Sequence, residues 1–190
     1  KDRIVSSLRN NDVVLLTTIG MSQLGNIVQV NGDHLAAEVA ASLQARKLVY
    51  FSNNYDYVMV RRRRKQAVMA QLQQEKEDDN EDDNDNDMDD THDTKTLQEI
   101  PLGFTKALLS HYNIRMFKDA GIASFEEARK TLEPGAVELL LHLGWASIAL
   151  ERGVNRAHIV NPYDGALLEE LFSSKHGINT CLYLEGRADD

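Results

Sequence analysis

Apolar and polar positions alternate between two rhythms along this chain. Val13 to Thr18 (VVLLTT) is a short, β-branched apolar run and predicts a buried strand. A loop containing Gly20, Ser22 and Gly25 follows, and Ile27 to Val30 predicts a second, shorter strand. From Asp33 to Ala45 the period changes: Leu35, Ala36, Val39, Ala40 and Leu43 fall on one helical face. Lys47 to Ser52 (KLVYFS) returns to a strand pattern. Strand, helix and strand within forty residues pack most simply as a parallel βαβ unit.

The pattern then breaks. Residues 55 to 74 have helical character and contain the basic run Arg61 to Lys65. Residues 75–96 carry almost no apolar side chains and a high density of like charge, so they cannot bury enough surface to order themselves. This stretch is expected to be a disordered insertion, whose length costs little loop entropy. Beyond it, the Ser124-Phe125-Glu126-Glu127 sequence has capping-box spacing and predicts a short helix to Leu132. Pro134 suits the first turn of a longer helix ending near Arg152–Gly153, apolar nearly all round and therefore central. Arg156 to Val160 reads as a strand. Asp164 to Phe172 reads as a helix capped by Asp164, and Asn179 to Glu185 as a final strand. Strands and helices alternate at both ends, so the expected fold class is α/β.

Charge changes the picture once it is resolved by position. The 190 residues carry 21 Lys+Arg against 30 Asp+Glu, a formal net charge of −9. Residues 75–93 alone hold 12 acidic residues and one Lys, and the remainder has 20 basic against 18 acidic groups. A nearly neutral remainder is not a nucleic-acid-binding surface. The lone cysteine, Cys181, excludes a disulfide framework and a cysteine-based zinc module. No apolar run approaches the ~20 residues of a membrane helix. The first residue is Lys1, with no signal peptide in view, so the chain is expected to begin inside a larger protein.

Motifs for catalysis are absent. No two glycines stand as G-x-G, and there is no G-K-[ST] or G-x-S-x-G sequence. Asn31-Gly32-Asp33 at a helix start could favour an anion through backbone N–H groups, but serves equally as a plain N-cap. His158 on a strand and Glu170 on the next helix could recognise a guanidinium or amine. On pattern alone they read as a half-buried His and a solvated Glu beside Glu169. The Arg61–Lys65 run reads as part of a solvated insertion. The acidic run lacks the glycine and glutamate placement of an EF-hand, so no metal site is expected. Cys181, within an apolar strand, reads as packing.

Two segments carry a resemblance. LLTTIGMSQLGNIVQVNGDHLAAEVAASLQARKLVYFS resembles the middle of the amino-acid kinase fold. GVNRAHIVNPYDGALLEELFSSKHGINTCLYLE resembles the end of the amino-acid kinase-like domain in N-acetylglutamate synthases, with G-V-x-R-x-H-I followed by D-G-A-L-L-x-E-L-F and G-I-G-T. Arginine-sensitive acetylglutamate kinases carry a related ending. The resemblance implies a three-layer αβα sandwich of amino-acid kinase type, incomplete here. Its first segment would be residues 1–53, its C-terminal segment 97–190, and residues 54–96 an insertion that is acidic and disordered from about 75. It also implies that the domain's N-terminal part precedes Lys1 and that an acetyltransferase domain follows Asp190.

The implied function is regulatory: arginine binds this domain and inhibits an enzyme that moves an acetyl group from acetyl-CoA to glutamate, the first step of arginine biosynthesis. By residue, the resemblance places His158 and Glu170 in the arginine site, with Gly177 in the adjoining loop, where Asn179 replaces the second glycine of G-I-G-T. It places Asn31 and Asp33 in a vestigial amino-acid and nucleotide site, with Gln29 where an asparagine is usual. Ser52-Asn53-Asn54-Tyr55-Asp56 lacks the S/T-D-x-x-G of family kinases, and Leu132 to Val137 lacks their lysine. No catalytic residue and no cofactor is therefore expected in this chain. Acetyl-CoA and glutamate belong to the parent enzyme, arginine is the effector, and a homo-oligomer is implied. The alternatives are an acetylglutamate kinase using ATP and a non-catalytic arginine sensor. The Asp/Asn low complexity points to a eukaryotic source, with a plastid or mitochondrion as the compartment, and the cytoplasm otherwise.

Overall fold

A computed structural model describes residues 1–53, 99–163, 165–172 and 179–186. The elements run α1 (Asp2–Arg9), β1 (Ile19–Met21), β2 (Ile27–Gln29), α2 (Gly32–Leu43), β3 (Lys47–Phe51), β4 (Glu99–Pro101), α3 (Leu102–His111), β5 (Arg115–Phe117), β6 (Ile122–Ser124), α4 (Glu126–Thr131), α5 (Pro134–Glu151), β7 (Arg156–Val160), α6 (Ala166–Phe172) and β8 (Thr180–Tyr183). The fold is mixed α/β, as expected. The helix proposed for residues 55–74 and the acidic run 75–96 lie outside the described residues, as do Asp164 and Gly177.

Four strands form the main sheet in the order β3-β7-β8-β4. β3 pairs parallel with β7, placing Val49 opposite His158 and Tyr50 opposite Ile159. β7 pairs antiparallel with β8, placing His158 opposite Cys181, and β8 pairs parallel with β4. Paired residues share a face, and successive residues alternate. Val49, His158 and Cys181 therefore point one way, and Tyr50, Ile159 and Thr180 the other. The Tyr50 ring stacks on His142 of α5, and its hydroxyl donates to the Asp33 carbonyl at the start of α2, 2.7 Å away. His158 instead meets Glu170 of α6. Helices thus cover both faces of the sheet, α2 and α5 on one and α6 on the other.

α5 is the core element. Val137, Leu139, Leu140, Leu143, Trp145, Ala146, Ile148, Ala149 and Leu150 are all buried around its circumference, which is what a helix apolar on every side requires. Pro134 stands in its first turn, where a missing N–H costs no hydrogen bond. Ser147, mid-helix, satisfies its hydroxyl by donating to the Leu143 carbonyl at 2.8 Å. Gly153 follows at φ +113, with the Gln44 side chain against the space a Cβ would fill. The Gln44 amide donates there to the Arg152 carbonyl, tying the end of α5 to the end of α2.

Three expectations are corrected. Val13 to Thr18 forms no strand. Val13 and Leu15 are about nine-tenths exposed: a strand needs a ladder partner, and among the described residues this run pairs with none. With no strand there, the parallel βαβ unit does not form either: β1 and β2 make their own antiparallel hairpin before α2. Ser124 does not cap α4. It sits in β6 opposite Arg115, so its backbone is committed to the ladder, and Phe125 takes the cap position without a side-chain bond.

Candidate functional site

α2 begins as the sequence predicts. The Asn31 side-chain oxygen accepts the His34 N–H at 2.8 Å, an N-cap. This commits Asn31 to a structural bond. In the first turn of the same helix, the Asp33 carboxylate lies 3.5 Å from His142 Nε2. Burial and the nearby Asp33 charge push the Tyr50 hydroxyl to a much higher pKa than usual. The cluster Asp33–Tyr50–His142 therefore fastens α2 to α5 and β3 with a phenol that stays protonated.

The second cluster is more enclosed. His158 and Glu170 have fully buried side chains, and His158 Nδ1 lies 2.6 Å from Glu170 Oε1. Glu170 Oε2 accepts the Asn179 backbone N–H at 2.9 Å and the Asn179 side-chain amide at 2.8 Å. With Glu170 as carboxylate, which only accepts, this contact is a hydrogen bond from a His158 Nδ1–H. The other imidazole nitrogen, Nε2, is buried without a hydrogen-bond partner among the described residues. Asn179 completes the cluster, its side-chain oxygen receiving the Asn161 N–H at 3.5 Å. One carboxylate thus joins β7, α6 and the residue leading into β8.

The reading of Glu170 as a solvated neighbour of Glu169 is overturned. Glu170 is buried, whereas Glu169 is exposed and accepts the Tyr163 hydroxyl. The period of α6 carries the difference: its 166 and 170 positions, four apart, both face inward. His158 is likewise fully rather than half buried. Asn179 escaped sequence reasoning as a contributor. Its signal is a polar side chain directly before an apolar strand, beyond the predicted helix that ends at Phe172.

The two clusters lie against opposite faces of the sheet, so the structure brings His158 and Glu170 together but does not bring Asn31 or Asp33 to them. Cys181 is buried, and burial pushes its thiol up to about 11. Since the thiolate is the reactive form, native protein at pH 8 is expected to react with a thiol reagent far more slowly than protein in denaturant. Equal rates would show that β8 opens freely. Among the described residues no group of three His, Cys, Asp or Glu side chains converges to hold a metal, and no helix is long and apolar enough to cross a membrane.

The arrangement of helices on both faces of a mixed sheet is a fold shared with solved proteins. No family model and no curated protein matches the chain. Among solved structures it is similar to N-acetylglutamate synthase from Neisseria gonorrhoeae complexed with coenzyme A and L-arginine, with 24% identity and a TM-score of 0.56 over 96% of this chain and 30% of that one. It is similar also to that enzyme complexed with coenzyme A and N-acetyl-glutamate, with 22% identity and a TM-score of 0.57 over 98% of this chain and 31% of that one. The likeness establishes the fold, and the chain spans less than a third of the length of these structures.

Proposed function

We propose that this chain is the arginine-responsive portion of an amino-acid kinase-like domain, a three-layer αβα sandwich, that regulates an N-acetylglutamate synthase. The parent reaction is acetyl transfer from acetyl-CoA to glutamate at the start of arginine biosynthesis. The observation that carries this reading is the buried Glu170 carboxylate, held by His158 and Asn179 where β7, α6 and β8 meet. The fold likeness to a synthase solved with L-arginine supports it.

A guanidinium is the natural partner of such a carboxylate, because it donates in a planar fork. In this geometry arginine reaches Glu170 only by exchanging with its present partners. Binding is then coupled to release of His158 or Asn179, which gives two states of different arginine affinity, the requirement for allosteric control. The reading assigns no phosphoryl transfer to the chain. Leu132 to Val137 offers no lysine to the phosphates, and that chemistry depends on positioned positive charge. A homo-oligomer built through this domain belongs to the same reading.

Calorimetric titration of the full chain with L-arginine tests the site. Saturable binding is expected, weakened about tenfold or more in Glu170→Gln, the loss of a charge-assisted contact. L-Citrulline, which keeps the shape of arginine and lacks its charge, is expected not to bind. Equal arginine affinity in a folded Glu170→Gln variant would remove Glu170 from the site.

A further inference from the structure

Away from both clusters, a cleft of about 410 Å³ opens between α2, the β5–β6 turn and the end of α5. It is lined by His34, Glu38, Lys118, Asp119 and Arg152. Two walls are fixed. Arg152 pairs with Glu38 across the α2–α5 contact, and its carbonyl is held by Gln44. His34 Nε2 lies 3.6 Å from Glu38, and the His34 ring packs on Trp145 with centroids 4.8 Å apart. The third wall, the β5–β6 turn, is pinned by Gly121, whose backbone has φ +63 and whose Cβ position is filled by the His34 ring.

The chemistry of the lining is unevenly spent. Among the described residues the side chains of Lys118 and Asp119 make no hydrogen bond or ion pair. Glu38 Oε2 and the remaining N–H groups of Arg152 are likewise uncommitted among them. Two carboxylates oppose a simple anion, and two cationic groups oppose a simple cation. A molecule with one charge of each sign meets a complementary group at both ends, and the lining is balanced as such a molecule is.

We propose that this cleft binds a small zwitterion, one carboxylate and one ammonium on a short chain. The carboxylate accepts from Lys118 and Arg152, and the ammonium donates to Asp119 and Glu38. The site shares no residue with the Glu170 cluster, so it stands or falls separately from the arginine reading.

The probe is 4-aminobutyrate, with butyrate and butylamine as its single-charge halves. Trp145 is the chain's only tryptophan and touches His34, so its emission reports on the cleft, and the amide shifts of residues 118–121 report on the turn. Titrating the full chain at neutral pH is expected to give saturable amide shifts with 4-aminobutyrate and at least about tenfold weaker effects with either half. Lys118→Ala and Asp119→Ala, both at exposed turn positions, are expected to weaken the response to a comparable degree without altering the fold. Shifts that stay linear up to molar concentrations overturn the proposal. So do equal responses to 4-aminobutyrate and butyrate, or an unchanged response in both variants.

Discussion

Glu170→Ala is expected to cost about 3–5 kcal/mol of folding stability, the range for removing one partner of a buried pair. The loss has three parts visible in the geometry. His158 Nδ1 loses its acceptor in the middle of a sheet, the Asn179 backbone N–H and side-chain amide lose theirs, and a void opens under α6. A typical domain has only about 5–15 kcal/mol in total, so this variant should populate unfolded forms readily. Urea unfolding followed by circular dichroism measures it. The double variant His158→Leu, Glu170→Leu should recover part of the loss, because it removes the orphaned imidazole and fills the void, while the Asn179 N–H and amide stay without their acceptor. A single-variant cost below about 1 kcal/mol would mean that water reaches the carboxylate and that the cluster is not closed.

Trp145→Ala is the second large effect, expected at about 3–5 kcal/mol as for other buried aromatics cut to alanine. Trp145 is 1% exposed in the middle of α5, inside the core cluster that joins α2, α3 and the sheet. Its removal leaves a cavity that Leu143 and Ile148 on the same helix cannot close without leaving their own contacts. It also frees the His34 ring, one wall of the charged cleft. Thermal unfolding checks the magnitude, and Trp145→Phe should recover part of it. A shift in melting temperature of only a degree or two in Trp145→Ala would place the tryptophan outside the cooperative core.

Elements whose signal is local were legible from the sequence. α5 announces itself by an apolar run with proline at its start, α2 by a period and an asparagine cap, and β3 and β7 by short apolar runs. The failures share one cause: the partner was not local. Val13–Thr18 has the composition of a strand but no strand beside it, and Ser124 has the spacing of a cap but a cross-strand partner in Arg115. The Glu170 cluster was half legible. His158 and Glu170 stood out through resemblance, while their burial and the part played by Asn179 depend on which side of the sheet α6 covers. The charged cleft was not legible at all, because its five residues come from three segments of the chain that are distant in sequence.

The strand order has a consequence for the time course of synthesis. β7 and β8 occupy the centre of the described sheet, yet they are the last of its four strands in sequence. β3 emerges about a hundred residues before its partner β7, and β4 about eighty before β8. Through that interval these two strand segments have no ladder to join among the described residues, and α5, the helix packed on the sheet, is also still to come. The described sheet closes from its C-terminal middle outward. A topology dominated by such distant pairings folds slowly, and a nascent chain of this kind depends on whatever shields its apolar segments until residue 183 is free.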